Sequence, residues 1–219
     1  MLQVTDLQFG YGAPLVRGLN FTIEAGTIRL LHGPSGCGKS SLLAILSGTA
    51  DKMLKWRGQI TLDGVEIGHL PAAQRGVGLM FQDPLLFPHM SVGDNLAFGL
   101  TAARSGRAER LQAVLDALHE CGLDDFAGRD PASLSGGQKA RVALMRALLA
   151  APKMLLLDEA FSSLDPELRQ TFGKFVATQV ATCQIPALLV SHDPGDKSLT
   201  SGAIIRFPAC RMFKDERVD

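Results

Sequence analysis

The stretch TIRLLHGPSGCGKSSLLAILSG, residues 27–48, decides the fold. Its opening TIRLLH is a short apolar run that reads as a buried strand and passes straight into glycines. Its close, SSLLAILSG, reads as a helix stopped by Gly48. Between them GPSGCGKS, Gly33 to Ser40, fits the pattern G-x-x-x-x-G-K-[ST]. Glycines at those places let consecutive backbone N–H groups turn inward around phosphate oxygens, where side chains would intrude. The candidate phosphate-binding residues are therefore Gly33, Pro34, Ser35, Gly36, Cys37, Gly38, Lys39, Ser40 and Ser41. Lys39 supplies a cation for the β- and γ-phosphates, and the Ser40 hydroxyl is a ligand for Mg²⁺. The start of the helix adds its partial positive charge. Cys37 is asked only for its backbone. A nucleoside triphosphate is the expected ligand.

Working outward, residues 2–9 and 19–24 alternate apolar and polar side chains like strands, with a Gly/Pro-rich turn expected at GYGAP. GQITLDGVEI carries two short strand-like runs around Asp63-Gly64, a hairpin signal. GVGLMFQ, residues 76–82, is a further buried strand. From Val92 to Ala150 the pattern is mostly helical, and RAERLQAVLDALHECG (107–122) ends on a glycine cap. Strands return at MLLLDEA (154–160) and ALLVSH (187–192) with a helix between them, and AIIRFPACRMF reads as one or two edge strands. Strand–helix alternation predicts an α/β fold whose mainly parallel sheet is covered on both faces. The expected plan is one domain over residues 1–219, with a core of about 1–82 and 152–219 and a helical subdomain of about 83–151 inserted into it.

Bulk properties agree with one globular domain of 219 residues, 46% hydrophobic and 20% charged. A chain of that size buries roughly 70–75% of its unfolded surface, enough for a proper core. The 22 basic and 22 acidic residues cancel, which argues against a protein that wraps nucleic acid. Cys37, Cys121, Cys183 and Cys210 are scattered without metal-ligand spacing, so a reduced, cytoplasmic chain is expected. No apolar run approaches the roughly 20 residues that span a bilayer, so any membrane role needs a partner.

MLLLDE, Met154 to Glu159, places two acids where a buried strand ends. In an open parallel sheet the chemistry sits at the carboxyl ends of strands. Asp158 is the expected metal-site acid, holding the Mg²⁺ hydration shell. Glu159 is expected to orient or deprotonate the attacking water. Adjacent strand residues point to opposite faces, so the two acids are expected to divide these roles.

SLSGGQKARVALMRALLAAP, Ser133 to Pro152, about a hundred residues further on, reads either as an ordinary capped helix or as a second anion site. Ser135 reads as an N-cap, and Gly136-Gly137 leave the first N–H groups of a long helix open. Val142, Met145 and Leu149 share one face of that helix.

Taken together these motifs resemble, over essentially the whole chain, the ATP-binding subunits of ABC transporters. LSGGQ (Leu134 to Gln138) matches the family's signature loop, which other P-loop kinases and GTPases lack. Tyr11 in FGYG matches the aromatic that stacks on adenine, with Phe9 as the alternative. Gln82 in MFQDPLLFPHMSV matches the glutamine of the Q-loop, which makes it an expected catalytic and metal-site residue. SSLD (Ser162 to Asp165) matches the D-loop, and His192 in LLVSHD matches the switch histidine that meets the γ-phosphate and orients Glu159. The resemblance implies a P-loop NTPase core of RecA-like type with N-terminal antiparallel strands and an inserted helical subdomain. It implies ATP and Mg²⁺ as cofactors and Glu159, His192 and Gln82 as catalytic residues. It also explains the two anion sites. Two subunits dock head to tail, so that Ser135, Gly136, Gly137 and Gln138 of one face the nucleotide held by the other, with Asp165 positioning the opposing site.

Within the family the chain is similar to short bacterial importer ATPases of the thiamine, iron and sulfate type, and to the YnjD-like branch in particular. That likeness implies an integral membrane permease as partner, a periplasmic or extracellular solute-binding protein, no nucleic acid, and a peripheral place on the cytoplasmic face of the inner membrane. Leu85, Leu86, Phe87 and Met90, in Asp83 to Val92, are apolar as a permease-docking surface requires. The alternatives are an exporter ATPase or a soluble, non-transport ATPase of the same family. The latter generally carries two cassettes or a long coiled-coil insertion, and neither is seen here. Two departures stand out. Ala160 replaces a proline common in the family, and the ending after His192 follows the family pattern poorly and is short. An extra C-terminal regulatory domain is not expected.

Overall fold

The first strand shows how the sequence specifies its own irregularities. In β1 (Leu2–Tyr11) the buried side chains are Leu2 and Val4, then Leu7 and Phe9. Strict alternation would have sent Leu7 and Phe9 to solvent. The shift is made at Asp6, which adopts φ +46° inside a bulge between Thr5 and Gln8 in the pairing with β4 (Lys55–Leu62). Gly58 opposite has φ +124°, and a Cβ there would lie 2.7 Å from Asp6 O, so the bulge needs a glycine partner. In β2 (Ala13–Ile23) a second irregularity at Gly18 (φ +61°) is tied to the first. Asp6 N donates to Asn20 Oδ1 at 2.8 Å, and Asn20 Nδ2 donates to Gly18 O at 2.9 Å.

The computed structural model describes residues 1–100, 106–200 and 204–207. β1 and β2 form a longer hairpin than the sequence predicts. The GYGAP turn contracts to Gly12 alone, at φ +76°, and Tyr11, Ala13 and Pro14 lie in the strands. Pro14 is tolerated because β2 is the edge of its sheet, ordered β2-β1-β4-β5 with β5 at Val65–Glu66.

A second sheet is wholly parallel. It contains β3 (Ile28–His32), β6 (Val77–Met80), β7 (Met154–Asp158), β8 (Ala187–Val190) and β9 (Ile205–Arg206), ordered β6-β7-β8-β3-β9. β7 as far as Leu157 and all of β8 are apolar because both faces are covered. Leu155 and Leu157 enter one core with Leu189, whereas Met154 and Leu156 enter the other with Leu188 and Val190. A one-residue slip would exchange the contents of two cores, and truncating one such leucine costs about 2–5 kcal/mol.

On one face lie α1 (Lys39–Ser47) and the antiparallel sheet. On the other lie α2 (Val92–Gly99), α3 (Arg107–Cys121), α4 (Gly136–Leu149) and α5 (Pro166–Cys183). The expected glycine stops at Gly48 and Gly122 are both left-handed caps. Of the C-terminal edge strands only Ile205–Arg206 falls within the described residues, beside β3; Pro208 to Phe213 lie outside them.

Candidate nucleotide site

β3, β6, β7 and β8 run in the same direction, so their carboxyl ends share one edge of the sheet. Each end carries chemistry. Gly33 to Ser40 follows β3, Phe81-Gln82 follows β6, Asp158-Glu159 closes β7, and Ser191-His192 follows β8. Register keeps them level, with Met80 paired to Leu157, Asp158 to Val190, and Leu31 to Val190.

The loop after β3 has the shape that a polyphosphate requires. Gly38 sits at φ +103°, where a Cβ would press against the Phe9 ring at 3.0 Å. Gly36 is exposed at φ +76° with open space around it. The first turn of α1 has neither a capping side chain nor an acidic residue, so its N–H groups are left for an anion. Lys39 is only 8% exposed, and Nζ donates to Gly33 O at 2.9 Å and Pro34 O at 2.8 Å, folding the loop around its own cation. Cys37 points into the core, 2% exposed, as a residue that lends only its backbone would.

Tyr11 is 54% exposed and lines a cleft of about 360 Å³ with Ser35, Gly36, Gly38, Lys39, Ser40, Ser41, Asp158 and Glu159. Phe9 lies beneath the loop, 1% exposed and against Phe207, so it offers no ring face to a base. A neighbouring recess of about 630 Å³ shares Ser40, Asp158 and Glu159 and adds Gln82, Phe81 and Ser163. Burial pushes the Asp158 carboxyl up, the adjacent Glu159 adds to the effect, and the Lys39 cation opposes both. No group of three or more His, Cys, Asp or Glu side chains forms a metal cage among the described residues. The expected set of one carboxylate with Ser40 and Gln82 oxygens is the kind that suits Mg²⁺ completed by phosphate and water.

β7 ends one residue before Glu159, which corrects the picture of two acids on opposite faces of one strand. Glu159 turns into the left-handed region at φ +50°. Its N–H is anchored to Val190 O at 3.0 Å, and its carbonyl accepts from Ser162 N at 3.0 Å and Ser162 Oγ at 2.8 Å. The turn brings Glu159 Oε1 within 3.5 Å of His192 Nδ1.

Ser135, Gly136, Gly137 and Gln138 line neither cleft. Ser135 N donates to Gln138 Oε1 at 2.9 Å and Gln138 N donates to Ser135 Oγ at 3.3 Å, a reciprocal capping box at the start of α4. The S-x-x-Q spacing was the signal for it. Asp165 likewise caps α5, with Oδ1 accepting from Leu168 N at 2.9 Å.

Residues that the motifs do not name also shape the site. Asn95, fully buried, accepts from Phe87 N and donates to Phe87 O, Met90 O and Ser91 O, so one side chain ties together three residues of the Asp83 to Val92 loop. Arg146 joins it by donating to Pro84 O and Leu85 O. Leu85 is left exposed, and Phe81 and Phe98 are exposed too, while Leu86 packs against the core.

The chain is similar to known proteins over most of its length. Residues 16–162 match the family model described as ABC transporter. The chain is 48% identical over 189 residues to the uncharacterized ABC transporter ATP-binding protein YnjD of Escherichia coli (strain K12), covering 84% of this chain and 87% of that one. It is 37% identical to the spermidine/putrescine import ATP-binding protein PotA of Pasteurella multocida (strain Pm70), covering 94% of this chain but 55% of PotA. Among solved structures, the ATP-binding cassette MJ0796, a dimer in a post-hydrolysis state bound to ADP and Pi, superposes with a TM-score of 0.74 at 25% identity over 91% of each chain. A family model matched over residues 16–162 and a relative 48% identical over most of both chains establish that the chain belongs to the ABC transporter ATPase family.

Proposed function

We propose that this chain hydrolyses ATP to energise a bacterial ABC importer, as a head-to-tail dimer docked on a separate membrane permease that is supplied by a solute-binding protein. The observation that carries the reading is the separation of the two anion sites. Lys39, Asp158, Glu159, Gln82 and Tyr11 border connected clefts, while Ser135 to Gln138 stand outside them. A second subunit that presents its own Ser135, Gly136 and Gly137 to this cleft completes the site, with Asp165 near the seam. The dimeric cassette MJ0796 supports that arrangement by family likeness.

In this reading the backbone of Gly33 to Ser41 holds the phosphates, Lys39 contacts the β- and γ-phosphates, and Tyr11 stacks on adenine. Ser40, Gln82 and Asp158 would hold Mg²⁺, which would supply positive charge to offset that of the phosphates. Glu159 takes a proton from the attacking water. His192 hydrogen-bonds the γ-phosphate and orients Glu159. Closing the dimer and binding ATP reinforce each other by linkage. Residues 83–151 act as the inserted helical subdomain, and exposed Leu85, Phe81 and Phe98 suit a permease contact. In this reading the chain works peripherally, at the cytoplasmic face of the inner membrane, a place supported by its likeness to importer ATP-binding proteins. No helix of the described residues is long and apolar enough to cross a membrane. The importer direction is supported by the similarity to PotA, of which the chain spans about half the length.

The test mixes two inactive proteins, Lys39→Ala and Ser135→Arg. A shared site predicts partial recovery of ATPase activity, because one interface then has both halves intact. Failure to complement, with both proteins folded, overturns the dimer. Affinity-tagged chain recovered from gently solubilised membranes should bring a multi-span permease with two ATPase chains. Recovery of soluble partners only, from membranes whose other complexes survive, would turn the assignment to a soluble ATPase of the same family.

A further inference from the structure

His192 is held from its two neighbours in sequence. Its side chain is 66% exposed, with Glu159 beside it at 3.5 Å. On one side Ser191 Oγ donates to buried Asp196 Oδ2 at 2.5 Å and accepts from Asp193 N at 3.0 Å. On the other, Asp193 Oδ1 accepts from Gly195 N at 2.7 Å, and Asp193 Oδ2 is paired with Arg169 Nη1.

Arg169 has further partners that lead back to Glu159. Nε donates to Phe161 O at 3.1 Å and Nη2 to Ser162 O at 3.3 Å. Ser162 in turn grips the carbonyl of Glu159 through both its N–H and its hydroxyl. The contacts close a ring of Glu159, Ser162, Arg169, Asp193 and His192, returning to Glu159. A planar guanidinium suits this task, because its donors diverge in a fixed fork toward two carbonyls and a carboxylate at once. Arg169 lies at the start of α5, close after the Asp165 cap, so its pairing links that end of the helix to Asp193.

We infer that Arg169 is a positioning residue for hydrolysis. By tying the Phe161-Ser162 turn to Asp193, it fixes the separation of His192 and Glu159 and couples that separation to the Asp165 end of α5. The inference rests on the reading of Glu159 and His192 as hydrolytic residues.

The experiment measures single-turnover hydrolysis of γ-labelled ATP and, separately, nucleotide affinity for the wild type and for Arg169→Gln, Arg169→Lys, His192→Ala and the double variant Arg169→Gln/His192→Ala. Arg169→Gln should slow hydrolysis about 10- to 100-fold, the range that misplacing a reacting group by about an ångström costs. ATP affinity should stay within about threefold, and Arg169→Lys, keeping the charge without the fork, should recover part of the rate. His192→Ala should lose about 10²–10³ in rate. Adding Arg169→Gln to it should then cost less than about threefold more, because a residue that acts through His192 has nothing left to position. Full additivity of the two losses, or an Arg169→Gln protein with wild-type rate beside a slow His192→Ala, overturns the inference and leaves the function intact. A wild-type rate for His192→Ala overturns both. If Arg169→Gln fails to fold, Asp193→Asn takes its place in the same cycle, with the same outcomes expected.

Discussion

Nδ1 of His192 stands 3.5 Å from Oε1 of Glu159, and the closeness depends on a backbone conformation that glutamate does not favour. Glu159 holds φ +50°, where an L-residue with a Cβ is strained by about 1–2 kcal/mol. The anchors at Val190 O and Ser162 keep it there. Replacing Glu159 by Gly should relieve the strain, whereas Ala keeps it. The Gly variant should therefore melt about 2–4 °C above the Ala variant, as about 1 kcal/mol does in a domain of this size. Both should lose hydrolysis by about 10²-fold or more. Equal melting temperatures would show that the turn carries no stored strain.

Ser135 has two separable duties. As the cap of α4 it accepts from Gln138 N, and as the first residue of the LSGGQ helix start it is proposed to meet a partner's nucleotide. Ser135→Ala should cost about 1 kcal/mol of stability, read as a lower urea midpoint. Ser135→Asp keeps a capping oxygen and suits the helix dipole, so its midpoint should stay near wild type. Its negative charge would face phosphate across the dimer, and ATPase activity should drop about 100-fold. An active, stable Asp variant would remove Ser135 from the nucleotide interface.

What the sequence makes legible is what is built from contiguous residues. Gly33 to Ser40 must form its loop locally, so the motif, the strand before it and the helix after it can all be read in one stretch. The apolar runs of β7 and β8 announce strands buried on both faces for the same reason. Features set by distant partners are not legible. Pro14 reads as a turn until β2 is known to be an edge strand. Asp6 needs Gly58 and Asn20 across two strands before its bulge makes sense. Glu159 looks like strand until Val190 is placed beside it. Arg169 and Asn95 look like ordinary helix residues, and only tertiary contacts assign them work.

Asn95 carries the strongest stability prediction in the helical segment. Its amide meets Phe87 N at 2.8 Å and three loop carbonyls, and Arg146 reaches the same oxygen at 3.3 Å. Asn95→Ala strands buried polar groups that cost about 1–3 kcal/mol each when left unpaired. The melting temperature should fall by several degrees, and amide exchange should accelerate at Leu85 to Met90 more than in α1. Uniform acceleration along the chain would instead mean that Asn95 stabilises the whole fold and not this loop.

Asp196 supplies the pH test. It is 2% exposed, its Oδ2 takes the Ser191 hydroxyl, and its Oδ1 has no hydrogen-bond partner. Burial raises its carboxyl above the ordinary value of 3.8, and Asp193 adds to the rise, while the Ser191 hydrogen bond, Arg169 and His192 oppose it. A carboxyl whose pKa is raised by folding binds protons more readily in the native state than when unfolded. Its contribution to stability therefore falls as pH rises from the ordinary aspartate range through the raised value, then levels off. Asp196→Asn keeps an oxygen for Ser191 and cannot ionise. Followed by urea unfolding from about pH 4 to about pH 7, the Asn variant should gain on the wild type as pH rises and then keep a constant lead. A lead of about 1 kcal/mol would shift the melting temperature by about 2–4 °C. A variant that instead loses ground as pH rises would show that Asp196 is needed as an anion, its charge balanced by Arg169 more fully than its burial opposes.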